Sequence, residues 1–66
     1  MPIITISLAK DQTSRSQKRE LIERFTAAAT EITDNPPQAF TVLIQELGAD
    51  SIGVGGKTLQ ELHNLD

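Results

Sequence analysis

Pro2, directly behind Met1, is the residue of this chain whose type and position could do the most chemistry. A small second residue lets the initiator methionine be trimmed, and the chain would then begin with a secondary amine. Inside a peptide the proline nitrogen is an inert amide without an N–H, but at a free terminus it is basic, nucleophilic and held rigidly in a ring. An unperturbed α-amino group titrates at about 7.7 to 8.0, and apolar surroundings lower that value by disfavouring the ammonium form. The residue therefore suits a general base near neutral pH. Other candidate groups read less sharply. Ser14 and Ser16 have no plausible histidine partner for nucleophilic catalysis and suit a helix start. His63, beside Asn64, reads as an exposed tail residue. Gly53-Val54-Gly55-Gly56 lacks the lysine spacing and strand-to-helix context of a phosphate loop and reads as a turn.

Composition narrows the classes of partner. The 66 residues read as one domain, residues 1–66, and a chain of this size buries only about 60% of its unfolded surface. There is no cysteine to form disulfides or a Cys/His zinc knuckle, and a single histidine argues against metal catalysis. A net charge of −3 and only two aromatic residues, Phe25 and Phe40, argue against a nucleic-acid platform. No apolar run approaches the roughly 20 residues of a membrane span, and the amino terminus lacks a signal core. The expectation is a cytoplasmic protein with no nucleic-acid or membrane partner.

The elements that must position Pro2 follow from periodicity. Ile4, Ile6 and Leu8 alternate with Ile3, Thr5 and Ser7, which predicts a first strand with two unlike faces. Ser14-Arg15-Ser16-Gln17 has the capping-box pattern. A helix is predicted from there to about Thr33, with Leu21, Ile22, Phe25, Ala28, Ala29 and Ile32 at helical spacing. Asp34-Asn35-Pro36-Pro37 stops it. A second strand is predicted over Phe40–Gln45, then Gly48 as punctuation, a tight turn or short hairpin over Ser51–Gly56, and a tail without clear structure.

Element lengths then restrict topology. The helix can return the chain in one pass, giving a right-handed βαβ unit with two parallel strands. That places Ala39 to Thr41 near the same sheet edge as Pro2 and puts the loop after the first strand, with Gln12, at the far end. Two strands are not a stable sheet alone, and one helix covers only one face. The remaining face and edges are expected to be closed by further copies of the chain. Antiparallel association along the first strands would set one subunit's loop beside the other's Pro2.

Over nearly its whole length the chain resembles the 4-oxalocrotonate tautomerase family. The resemblance is carried by Met1-Pro2-Ile3 leading a strand, Gln17-Lys18 and Leu21-Ile22 in the helix, Pro36 at the turn, Val42-x-Ile44-x-Glu46, and Gly53-Val54-Gly55-Gly56. It implies an α/β fold, a single βαβ unit with a short C-terminal hairpin completed by oligomerisation, usually as a hexamer. It also implies that the terminal proline shuttles a proton between carbon and oxygen of a keto–enol pair without any cofactor. The expected activity is that of a cofactor-independent isomerase acting on a small enol or keto acid, such as a 2-hydroxy-dienoate or an enolpyruvate. The alternatives are a hydratase or dehalogenase acting on a small unsaturated acid, and a non-catalytic assembly subunit of the same fold.

The chain also departs from that family. Its best-known members carry one arginine in the loop after the first strand and another early in the second strand, where this chain has Gln12 and Thr41. An aromatic residue usually precedes the glycine segment, and here Ile52 stands in its place. Pro2 is thus the expected catalytic residue, with Gln12, Arg15, Ala39, Thr41 and Ile52 as substrate-binding candidates. Neutral Gln12 and Thr41 cannot give the bidentate charged grip of arginine, so Lys10 or Arg15 is expected to supply a carboxylate or oxyanion contact if any cation does.

Overall fold

The computed structural model describes residues 1–63. Strand β1 (Ile3–Ala9) leads into helix α1 (Arg15–Thr33), and strand β2 (Thr41–Leu47) follows a 3-10 turn at Pro37–Ala39. After a second 3-10 turn at Ala49–Ser51 come β3 (Gly53–Val54), β4 (Lys57–Thr58) and the short helix α2 (Leu59–His63). β1 and β2 are parallel, with registers running from Ile3 opposite Thr41 to Ala9 opposite Leu47. The architecture is the βαβ unit with a C-terminal hairpin that the pattern of elements implies.

Alternation in β1 is realised as two unlike faces, since Ile4, Ile6 and Leu8 are half-buried while Ile3, Thr5 and Ser7 are exposed. The half-buried face is the one turned to α1. On it Glu46, opposite Leu8, receives Lys18 of the helix at 2.7 Å. The other face is open. There the Ser7 hydroxyl donates to Gln45 Oε1 at 2.9 Å, while Ile3 and Leu43 leave 60% and 47% of their surface exposed.

Both ends of α1 are set by short-range chemistry. Ser14 Oγ accepts from the Gln17 N–H at 3.1 Å and the Ser14 N–H donates to Gln17 Oε1 at 2.9 Å, so the capping box is formed in both directions. At the other end Asp34 takes the left-handed conformation, φ 62°, and its N–H donates to Thr30 O at 3.0 Å. A side chain is strained at that φ, and a carboxylate there opposes the negative end of the helix dipole. Asp34→Gly is therefore expected to stabilise the protein by roughly 1 kcal/mol. A denaturation midpoint that falls would contradict this.

Helix α1 is amphipathic, but its covered stripe is narrower than the sequence suggests. Leu21, Phe25 and Ala29 are half-buried, whereas Ala28 is exposed and Ile22 and Ile32 expose 42% and 82%. A ribbon of two strands about 5 Å apart is no wider than one helix and covers only its central ridge. Among the described residues none is fully buried.

Two boundaries are corrected at the carboxyl side. β2 begins at Thr41 rather than Phe40 and runs on to Leu47, because the Phe40 N–H closes the 3-10 turn on Pro37 O at 3.2 Å. In the segment after the hairpin, Leu59–His63 is helix rather than unstructured tail, and residues 64–66 of that expected tail lie outside the described residues. Thr58 Oγ1 accepts from the Glu61 N–H at 3.0 Å and the Thr58 N–H donates to Glu61 Oε1 at 3.4 Å, a second capping box that starts α2. His63 is thus the last residue of a helix, and exposed. Between β3 and β4, Gly55 and Gly56 both have positive φ, 61° and 85°, as a two-residue hairpin loop of the primed kind demands.

Candidate active site

Pro2 precedes β1, with its carbonyl accepting the Thr41 N–H at 3.1 Å. That bond extends the parallel ladder by one rung and leaves the proline nitrogen out of the pairing. Pro2 is exposed and Met1 is 94% exposed. Ala39 closes the preceding turn, its N–H donating to Pro36 O at 3.0 Å, and is half-buried. Parallel pairing thus brings Pro2, Ala39 and Thr41 to one end of the sheet.

Gln12 and Arg15 lie at the opposite end. There the Lys10 N–H donates to Leu47 O at 2.7 Å, and Asp11 turns the chain with φ 68°. The strand between spans about 20 Å at the usual rise per residue, so one protomer does not bring Gln12 to its own Pro2. Gln12 lines an open groove of about 340 Å³ with Thr13, Gln17, Glu20, Leu21 and Arg24. Arg15, the first residue of α1, and Lys10 are exposed and do not line this groove. Neither forms an ion pair among the described residues.

Ile52 sits in a third place. It is half-buried between the second 3-10 turn and β3, and its carbonyl accepts the Leu59 N–H at 2.7 Å. This C-terminal unit packs chiefly upon itself. The six candidate residues therefore fall into three groups within one chain. Thr13, Glu20 and Arg24 are the groove residues that sequence reasoning did not single out, and Arg24 is the cation among them. Its separation of 12 positions from Gln12 hides the relation, although the i, i+3, i+4, i+7 spacing of Gln17, Glu20, Leu21 and Arg24 is that of one helix face.

Among the described residues no group of three or more His, Cys, Asp or Glu side chains is placed to hold a metal ion. No described helix is long and apolar enough to cross a membrane.

Solved structures define the class of fold first. A structure of the 4-oxalocrotonate tautomerase isozymes from Methylibium petroleiphilum superposes with a TM-score of 0.90 at 29% identity, over 98% of this chain and 100% of that one. A heterohexameric 4-oxalocrotonate tautomerase from Chloroflexus aurantiacus gives 0.84 at 32% identity, over 94% and 98%. The family described as "Tautomerase enzyme" matches residues 2–62. This chain belongs to the tautomerase family. Among its relatives, the 2-hydroxymuconate tautomerase of Bacillus subtilis is 34% identical over 62 residues, 94% of this chain and 98% of that protein.

Proposed function

We propose that this protein is a cofactor-independent isomerase that interconverts the enol and keto forms of a small acid, with the amine of processed Pro2 as the proton carrier. The amine would take the proton from the enol oxygen as electron density moves to carbon, then return it from the ammonium to that carbon, so no proton is gained or lost overall. The observation that carries this reading is the position of Pro2. Its carbonyl is fixed by Thr41 while its nitrogen stands outside the ladder at an exposed sheet end. The names of the relatives support the same chemistry.

The site is completed by other copies of the chain. In the described sheet, β1 is paired only with β2 and keeps one edge unpaired, and antiparallel pairing along that edge would carry one protomer's Gln12 to the other's Pro2. A homohexamer is the assembly proposed, and the hexameric Chloroflexus neighbour supports it.

Because Gln12 and Thr41 are neutral, the substrate class proposed is a monoacid enol. The test is turnover by the assembled protein, with Met1 removal confirmed by intact mass. Phenylenolpyruvate is expected to react no more slowly than the enol of a keto-diacid. Failure to accelerate either enol would overturn the isomerase reading, and a hundredfold preference for the diacid would overturn the substrate class.

A further inference from the structure

We propose that Arg24, in the groove beside Gln12, is the cation that receives the substrate's carboxylate. This rests on the tautomerase reading above. Of the six cationic side chains in the sequence, Arg24 is the one that lines the groove. Lys18 is engaged across the fold by Glu46 at 2.7 Å, and Arg19, paired with Glu23, does not line the groove. Lys57 is in the hairpin, and Lys10 and Arg15 stand outside the groove.

The groove is chemically suited to a small carboxylate with an apolar body. Leu21 offers an apolar wall, and Gln12 and Thr13 offer neutral donors. Gln17 uses Oε1 in the capping box, which leaves its amide NH₂ free to donate. Long helical side chains lean toward the helix amino terminus, so Arg24 leans toward the loop that carries Gln12. Its present partner is Glu20, one turn earlier, and the two side chains are 79% and 55% exposed. Such an exposed pair holds weakly. A guanidinium with five N–H donors can keep one bond to Glu20 and offer two parallel ones to a carboxylate. Glu20 thus acts as a competing anion that sets how tightly the acid binds, and one such cation fits one carboxylate.

Opposite effects from the two partners are the signature. Variants Arg24→Gln, Glu20→Gln and Arg19→Gln would be prepared in processed, assembled form, with sedimentation as the check. KM and kcat would be measured with phenylenolpyruvate, and binding of unreactive phenylacetate by calorimetry. Arg24→Gln is expected to raise KM and weaken phenylacetate about tenfold with kcat little changed. Glu20→Gln is expected to lower KM about threefold, since it removes the competitor. Arg19→Gln, in the neighbouring ion pair, is expected to change neither.

Unchanged phenylacetate binding in Arg24→Gln would overturn the assignment, as would an equal loss in Arg19→Gln, which would signal a diffuse charge effect. If the enol were not turned over at all, the isomerase reading would fall, while phenylacetate binding would still decide the role of Arg24.

Discussion

An amino-terminal extension that prevents removal of Met1 is expected to lower turnover at least about a hundredfold, the scale of a lost general base, while assembly survives. The extension turns the Pro2 nitrogen into an amide whose lone pair is delocalised and no longer basic. It leaves the fold alone because the ladder uses the Pro2 carbonyl, not its nitrogen, and because Met1 already stands 94% exposed. Pro2→Ala retains a terminal amine after processing and is expected to lose less. In the processed protein the base is the neutral amine, so the rate should rise with pH as the ammonium gives up its proton. The extended protein should lack that limb. Full activity in an extended, assembled protein would remove Pro2 from the mechanism.

Leu43→Asp is expected to abolish assembly and cooperative folding together. Leu43 lies opposite Thr5 on the sheet face away from α1 and exposes 47% of its surface, while Ile3 on the same face exposes 60%. Covering a leucine stabilises by about 1.5 to 3 kcal/mol, whereas an unpaired carboxylate in an interface costs several kcal/mol per site. With no described residue fully buried within one chain, a protomer has little reserve against that loss. Sedimentation and circular dichroism at micromolar concentration check it, with Glu23→Ala on the outer face of α1 as a control expected to shift stability by about 0.5 kcal/mol or less. A folded monomer of the Leu43→Asp protein would show that association is not what stabilises this chain.

Local chemistry made most of the fold legible. The alternation in residues 3–8 gave the faces of β1, and Ser14 with Gln17 gave the start of α1, because both signals act over a few residues. Thr58 and Glu61 carry the same capping signal for α2, although the glycines just before them read as a turn. Ile32 misled for a different reason. Its spacing fits the apolar stripe, yet it is 82% exposed beyond the two strands that one chain supplies. Periodicity reports which residues seek cover and not which molecule provides it.

The candidate site divides along the same line. Pro2 and Thr41 were placed together by the direction of a βαβ crossover, a property of topology that length alone predicts. Gln12 and Arg24 line one groove from a loop and a helix, and no local spacing encodes that relation. Ile52 belongs to a unit that packs chiefly upon itself, so any part it plays beside Pro2 rests on the proposed assembly.

The bond from Thr41 to the Pro2 carbonyl has a mechanical meaning. The pyrrolidine ring removes one rotation at the first residue and the ladder restrains the next, so ring pucker is the main freedom left to the nitrogen. On the proposed mechanism the base is then mounted on the sheet like a fixed tool on a frame. Its aim is as accurate as the alignment of β1 with β2, and a slip in that alignment would blunt catalysis even with every reacting atom still present.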